Sequence, residues 1–131
     1  MHGIFDSTTQ MLERALDVNM QRQLVLSSNI ANLDTPGFTP RDVRFDQAMS
    51  DALARARRGS QAERRDATPL GPSRVQSYLR PDRAAGRDGN AVDLDVQMAR
   101  LSQNSIAFEA TTNAMTRRLR VLKYVVNDGG M

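Results

Sequence analysis

The stretch DLDVQMARLSQNSIAFEATTNAMTRRLRVLKYVVN, residues 93 to 127, decides the fold. Apolar residues recur in it in alternating steps of four and three, the heptad spacing of a helix that packs lengthwise against another helix. Ser105 and Thr112 are the small polar interruptions. The large apolar members of this predicted seam are Leu94, Met98, Leu101, Phe108, Met115, Leu119, Leu122 and Val126. The spacing predicts a long helix whose seam faces either an N-terminal helix of the same chain or another subunit.

The two ends of this stretch carry helix start and stop signals. Asp93 can cap the start by accepting hydrogen bonds from backbone N–H groups, and Asp95 adds negative charge to the first turn. We interpret this pair as capping and not as acid–base chemistry. Positive side chains gather toward the other end, where the helix dipole favours them: Arg117, Arg118, Arg120 and Lys123.

A second helix is predicted over residues 7 to 33, with Asp6, Ser7 or Thr8 as its cap. Its apolar residues recur mostly in steps of four and therefore drift around the helix. The resulting broad stripe comprises Met11, Leu12, Leu16, Met20, Leu24, Leu26, Ile30 and Leu33. The sequence therefore predicts a mainly α fold with long helices near both ends.

A turn signal, LDTPGF at residues 33 to 38, ends the N-terminal helix. Pro36 biases Thr35 away from helical angles and suits the second position of a turn. Gly37 supplies the positive φ that a type II turn needs at its third position. Pro40 is a second helix breaker close behind.

The segment between turn and C-terminal helix gives weaker signals. We expect Val43 and Phe45 to form a short extended stretch that lays Phe38 and Phe45 back on the helices. Residues 50 to 90 hold too few large apolar side chains for a core, so we expect an irregular, largely flexible segment. Within it, a short helix is predicted over residues 51 to 58 and a brief strand over 75 to 79.

The predicted organisation has three parts. Residues 1–49 carry the N-terminal helix and turn motif, residues 50–90 form an Arg/Pro/Gly-rich flexible segment, and residues 91–131 carry the C-terminal heptad helix. Two helices cannot cover both flanks of each other, and Leu16, Val18, Val25 and Val121 do not share one seam with the rest. An isolated hairpin is therefore expected to be marginally stable and to become fully ordered on self-association.

Composition excludes several function classes. The chain has no cysteine, which removes disulfides, thiolate metal sites and cysteine nucleophiles. The single histidine, His2, has no cysteine or carboxylate cluster with which to form a metal site. There is no phosphate-binding glycine loop, nucleophile elbow or conventional cleaved signal peptide. We expect no enzyme activity, no cofactor and no small-molecule substrate.

Charge suggests the main alternative, a basic protein that binds nucleic acid. The formal net charge is +3, and the basic surplus lies in the middle segment at Arg55, Arg57, Arg58, Arg64 and Arg65. That segment has neither interleaved aromatic residues nor a recognisable nucleic-acid-binding fold, which argues against this alternative. A secreted coiled-coil effector or chaperone would share the heptads but would not account for residues 29 to 38.

The turn motif carries a family resemblance. SNIANLDTPGF, residues 28 to 38, closely resembles the motif that ends the first helix of bacterial flagellar rod and hook proteins. RDVRF at residues 41 to 45 continues it as in the short rod proteins of that family, and residues 92 to 98 with Asn104 and Phe108 resemble their C-terminal segment. The sequence departs from the family pattern in having Phe38 and Phe108 where Tyr is common, Gln97 where Glu is common, and Pro40.

The resemblance implies a structural subunit of the periplasmic rod of the flagellar basal body. Such a subunit would leave the cytoplasm through the flagellar type III export apparatus without a cleaved signal peptide. Its terminal helices would pair as an antiparallel coiled coil, polymerise and transmit torque. The implied partners are other rod proteins, the rod base-adaptor protein, the MS ring and further copies of the chain, with no nucleic acid.

Two sets of residues are predicted to carry these contacts. The motif set at the subunit interface is Asn29, Asn32, Thr35, Pro36, Gly37, Phe38 and Phe45. The helix-seam set is Leu12, Leu16, Leu24, Leu94, Met98, Leu101, Phe108, Met115, Leu119 and Leu122.

Overall fold

The structure is a computed structural model in which residues 7–62 and 75–128 are described. In chain order these form α1 (Ser7–Ala31), β1 (Arg41–Val43), α2 (Phe45–Ala62), β2 (Ser77–Leu79) and α3 (Leu94–Asp128). The predicted mainly α fold is confirmed, with the two long helices near the ends of the chain.

Helix α3 begins where the sequence predicts because Asp93 caps it. The Asp93 carboxylate oxygen Oδ1 accepts hydrogen bonds from the backbone N–H groups of Asp95, at 3.0 Å, and Val96, at 3.3 Å. The helix has 35 residues, which gives a length of about 52 Å. The hydroxyls of Ser105 and Thr112 each donate to the carbonyl four residues earlier, so these small polar residues are satisfied within the helix.

Helix α1 ends two residues earlier than predicted, at Ala31. The reason is a tightening of its last turn. The backbone N–H of Leu33 donates to the carbonyl of Ile30, three residues back, and the Asn32 side chain donates to the carbonyl of Ser28 at 2.8 Å. These bonds satisfy carbonyls that a continuing helix would have used.

The two long helices pack antiparallel. Asn29 near the end of α1 contacts Gln97 near the start of α3, whereas Asn19 and Gln23, further back on α1, contact Asn104 further along α3. The contacts therefore move toward the end of α3 as they move back toward the start of α1. This is the antiparallel pairing of terminal helices that the resemblance implied.

The face of α3 that is turned inward differs in part from the predicted seam. From residue 97 to residue 122, one heptad series of buried or half-buried side chains consists of Gln97, Leu101, Asn104, Phe108, Thr111, Met115, Arg118 and Leu122. It shares every second member with the predicted seam and replaces the other members by polar residues. Consequently, Leu94, Met98 and Leu119 are 42%, 48% and 49% exposed.

A small two-stranded sheet lies beside the helices. Strands β1 and β2 pair antiparallel, with Arg41 opposite Leu79 and Val43 opposite Ser77. The strand predicted over residues 75 to 79 is present at Ser77–Leu79. The expectation that Phe45 is extended was wrong, because α2 begins there: the Arg44 carbonyl accepts from the Ala48 N–H. Helix α2 is also longer than the helix predicted over residues 51 to 58.

The interior of the described part of the chain is unusually polar. Its buried apolar side chains are Ala15, Val18, Leu26, Pro40, Val43, Ala91 and Val92. Its fully buried polar side chains are Thr9, Asn19, Asn29, Asp42, Asn90, Gln97 and Asn104. Buried polar groups are stabilising only when they are hydrogen-bonded, so the fold depends on the pairing of these side chains.

Candidate functional site

The turn motif after α1 has the predicted type II geometry. The Phe38 N–H donates to the Thr35 carbonyl at 3.3 Å, and Gly37, at the third position, has a φ of 73°. The Thr35 hydroxyl also donates to the Asn32 side-chain oxygen at 3.0 Å. Thr35, Pro36 and Gly37 are exposed, so this tip of the molecule is available for contact.

Residues 88 to 91 hold this turn from the other side. The Asn90 side-chain amide donates to the carbonyls of Leu33, at 2.6 Å, and Thr35, at 2.9 Å. The Gly37 N–H donates to the Asp88 carbonyl at 2.8 Å. Gly89 also has a φ of 73°, and a Cβ atom there would lie 3.2 Å from the Gly37 Cα atom. The turn is thus packed against a second glycine loop from far along the chain.

Asn29, a predicted interface residue, is buried inside the chain. Its side-chain oxygen accepts from the Arg41 N–H at 3.0 Å, and its Nδ2 donates to the Arg41 carbonyl at 2.7 Å and to Gln97 Oε1 at 2.9 Å. The carboxamide therefore pairs with the backbone of β1 as a neighbouring strand would. The remaining motif residues are half-buried (Asn32 and Phe38) or exposed (Phe45, 38%).

The carboxylate of Asp42 joins α1 to both strands. Its oxygens accept from Arg22 Nε at 2.8 Å, Arg22 Nη2 at 3.1 Å, Arg80 Nη1 at 2.7 Å and the Val43 N–H at 2.7 Å. Burial raises the pKa of Asp42, but the hydrogen bonds from Arg22 and Val43 and the Arg22 charge outweigh it, so the pKa lies below its usual value. The same bond from Arg80 to Asp42 raises the pKa of the Arg80 guanidinium.

A second carboxylate, Asp82, joins the loop before α3 to α3 itself. Its Oδ1 accepts from Arg100 Nη1 at 2.6 Å, and its Oδ2 accepts from Gln97 Nε2 at 2.7 Å and from the Asp93 N–H at 3.0 Å. Gln97 is therefore held between Asp82 and Asn29. Part of the predicted flexible segment, residues 75 to 90, is bonded to α3 through Asp82 and to the turn after α1 through Asn90.

The predicted seam residues fall into two groups. Leu12, Leu16, Leu101, Phe108, Met115 and Leu122 are half-buried, whereas Leu24, Leu94, Met98 and Leu119 are exposed. The exposed large apolar side chains elsewhere on α1 and α3 are Met11, Met20, Ile106, Val121, Tyr124, Val125 and Val126. Both long helices thus display apolar side chains to solvent, which we call the apolar flanks; their use as subunit contacts stays a prediction.

A groove of about 280 Å³ opens between α1 and α3. Its lining consists of Asn19, Met20, Gln23, Leu24, Asn104, Ser105 and Phe108. At its floor, Asn104 Nδ2 donates to the Asn19 carbonyl and to Gln23 Oε1, both at 2.9 Å. Two other buried amide atoms, Asn19 Nδ2 and Asn104 Oδ1, have no hydrogen-bond partner among residues 7–62 and 75–128.

The described residues offer hydrogen-bonding groups and exposed apolar side chains for contact. Residues 7–62 and 75–128 contain no group of three or more His, Cys, Asp or Glu side chains that could hold a metal ion. Over the same residues, no helix has the length and apolarity to cross a membrane. His2, Arg64 and Arg65 lie outside the described residues.

Sequence reasoning missed the residues that organise the interior. Arg22, Asp42, Arg80, Asp82, Asn90, Arg100 and Asn104 were not predicted to contact one another. One signal on α3 could have been used. Gln97 and Asn104 are seven residues apart, the heptad spacing, on the helix face next to the predicted apolar seam. Pairings such as Asp42 with Arg22 and Arg80 have no local sequence signature.

The sequence is similar to flagellar basal body rod proteins. Residues 10–39, which include most of α1 and the turn, match the sequence model of the family described as flagella basal body rod protein. The chain is 32% identical to the flagellar basal body rod protein FlgB of Borrelia hermsii, over 95% of this chain and 98% of that protein. It is 30% identical to FlgB of Bacillus subtilis, over 97% and 98%, and 29% identical to FlgB of Proteus mirabilis, over 95% and 96%.

Proposed function

Since the chain belongs to the FlgB family of flagellar basal body rod proteins, we propose that it polymerises through its terminal helices in the proximal rod and transmits torque across the periplasm. As a member of this family it is a structural subunit of the basal body rod and associates with other rod components. The nucleic-acid-binding and effector alternatives find no support in these comparisons.

The observation that carries the polymerisation proposal is the exposure of the apolar flanks. Leu94, Met98 and Leu119 continue the heptad of α3 on a face that α1 leaves exposed. Fully burying one such side chain stabilises a contact by roughly 1.5–3 kcal/mol. Large exposed apolar surfaces typically mark sites of protein association. A subunit of a polymer needs such surfaces, whereas a solitary protein gains nothing from them.

The turn motif is proposed to serve as a second contact. Thr35, Pro36 and Gly37 project at the end of α1, and the type II geometry and the bonds from Asn90 hold their backbone in one conformation. A preorganised loop loses little conformational entropy on binding. We propose that residues 1–49 and 91–131 form the rod core and that residues 50–90 connect them.

The finer partners also belong to the proposal. Family membership supports contact with the rod base-adaptor protein and the MS ring, and export through the flagellar type III apparatus without a cleaved signal peptide. The absence of cysteine from the chain supports export of an unfolded polypeptide, because no disulfide has to be broken. Family membership likewise supports a role without catalysis.

The polymerisation proposal is tested by placing a charge on the apolar flank of α3. Leu119→Glu and Leu79→Glu both alter exposed leucines, on α3 and β2 respectively, so both variants should fold as the wild type does. In a strain that lacks the native gene, we expect Leu119→Glu to abolish incorporation into purified basal bodies and swimming, because a charge buried at a subunit contact lacks a partner. Leu79→Glu should be motile. Normal rods containing the Leu119→Glu chain would contradict the proposal.

A further inference from the structure

The groove between α1 and α3 has a polar floor with two amide atoms that the described residues leave without a hydrogen bond. Asn19 and Asn104 are 2% and 1% exposed, yet Asn19 Nδ2 and Asn104 Oδ1 have no hydrogen-bond partner in the part of the chain that the structure describes. Buried polar atoms in folded proteins nearly always have a hydrogen-bond partner. One donor and one acceptor at the same floor therefore indicate an occupant that both accepts and donates.

The walls and size of the groove restrict that occupant further. Met20, Leu24 and Phe108 make the walls largely apolar, and the volume is about 280 Å³. This volume lies at the lower end of the range typical of small-ligand pockets and is enough for one aromatic side chain. A tyrosine meets both conditions, because its ring is apolar and its hydroxyl donates one hydrogen bond and accepts others.

The chain itself supplies such a tyrosine on its surface. Of the two tyrosines, Tyr78 is half-buried beneath the Arg44 guanidinium, 4.8 Å from the ring centre. Tyr124 is 70% exposed on α3. It lies sixteen residues beyond Phe108 on the same helix, a separation of about 24 Å. Tyr124 therefore cannot reach the groove of its own chain.

We propose that Tyr124 of a second copy of this chain occupies the groove. Its ring packs against Met20, Leu24 and Phe108, and its hydroxyl donates to Asn104 Oδ1 and accepts from Asn19 Nδ2. The proposal rests on the rod function proposed above and names the contact that the function requires. Groove and tyrosine are different surfaces of one chain, and such a heterologous contact generates an open polymer when its rotation does not close a ring.

Two features of the groove suit this occupant. Because the two unpaired atoms are buried, the wall must move to admit the hydroxyl. Met20 is unbranched and 55% exposed, and can turn aside. Glu109 directly follows the lining residue Phe108 in sequence, and Lys123 directly precedes Tyr124. Both charges are exposed and of opposite sign, which favours the encounter.

Photo-crosslinking from position 124 tests the contact. The full chain with p-benzoylphenylalanine in place of Tyr124 is produced in a flagellated strain together with an epitope-tagged copy that lacks the crosslinker. We expect light to join it to the tagged copy, and the tryptic peptides joined to contain Met20, Leu24 or Phe108. The matched control carries the crosslinker at Leu79, which is also exposed, and should not yield these peptides.

The outcomes separate this contact from the rod function. A crosslink to another rod protein, or to a different part of the tagged copy, would overturn the docking proposal and leave the subunit role intact. Absence of the unmodified tagged copy from purified basal bodies would instead overturn the proposed function itself.

Substitutions at the tyrosine test its hydroxyl separately from its ring. In competition with wild type, we expect Tyr124→Phe to enter rods about tenfold less well, since the two amide atoms stay unpaired, and Tyr124→Ala to enter less well still. Adding Asn19→Ala to Tyr124→Phe should cost little more, because the hydroxyl contact is already lost. Because Tyr124 is 70% exposed, Tyr124→Phe and Tyr124→Ala should leave the melting temperature of the monomer unchanged. Equal incorporation of Tyr124→Phe and wild type would overturn the hydroxyl assignment.

Discussion

Replacing Asp42 by alanine should destabilise the folded chain far more than replacing either end of an ordinary surface ion pair. Asp42 is 1% exposed and accepts four hydrogen bonds, from Arg22, Arg80 and the Val43 N–H. The substitution removes the one carboxylate that these three groups share. It leaves Arg22, whose side chain is 17% exposed, largely buried and without this partner.

The magnitude follows from the exposure of each partner. Removing one member of a buried ion pair costs about 3–5 kcal/mol, because the remaining charge is left without its partner. We take the lower end, about 3 kcal/mol, since Arg22 is partly exposed, and add about 1 kcal/mol for the unpaired Val43 N–H. The matched change Arg80→Ala should cost only about 0.5–1 kcal/mol, because the Arg80 side chain is 44% exposed and water replaces much of its contact.

Urea unfolding followed by far-ultraviolet circular dichroism measures both costs. The full-length chains should be compared at pH 7 and at one low protein concentration, because self-association would otherwise add to the apparent stability. The double variant Asp42→Ala with Arg22→Ala should be less destabilised than the sum of its parts. If Asp42→Ala costs no more than Arg80→Ala, the carboxylate does not hold α1 to the strands and the reasoning fails.

Three further outcomes are expected. The lowered pKa of Asp42 means that the stability it contributes is complete above its unfolded-state pKa, about 3.9, and is lost as the pH falls through the lower folded-state pKa. The difference in free energy of unfolding between wild type and Asp42→Asn should therefore be constant from pH 5 to 7 and shrink below about pH 4. An unchanged difference below pH 4 would contradict the assignment. Gly37→Ala should lower the free energy of unfolding by about 1 kcal/mol from backbone strain alone. Gly89→Ala should lower it by more, since its Cβ atom would approach the Gly37 Cα atom to 3.2 Å. Equal losses of melting temperature would be inconsistent with that contact. Asn29→Asp should cost about 2–4 kcal/mol, because a buried carboxylate would face the Arg41 carbonyl and Gln97 Oε1, and a melting temperature equal to that of wild type would refute it.

The sequence predicts the helices and the turn well because their causes are local. The Pro36-Gly37 pair determines a type II turn by its own backbone preferences, and Asp93 caps α3 with bonds to residues two and three positions away. The same holds for the heptad spacing, which shows that α3 packs lengthwise. None of these inferences needs to know what lies opposite in the fold.

The pairing of distant polar groups could not be predicted in this way. Gln97 and Asn104 look like surface residues until Asn29, Asp82 and Asn19 are brought against them by the fold. The rotation of the α3 face follows from that, because these amides occupy positions that Met98 and its heptad partners were expected to fill. A hydrophobic pattern alone does not distinguish a face covered by the same chain from one left for another.

The polar interior described above has a thermal consequence. Exposing apolar surface raises the heat capacity of a protein and exposing polar surface lowers it. Because the described part of the chain buries seven polar side chains, it should unfold with a heat-capacity increment below the usual figure of about 12–15 cal/mol/K per residue. A small increment flattens the stability curve, so the free energy of unfolding should change little between low and moderate temperatures.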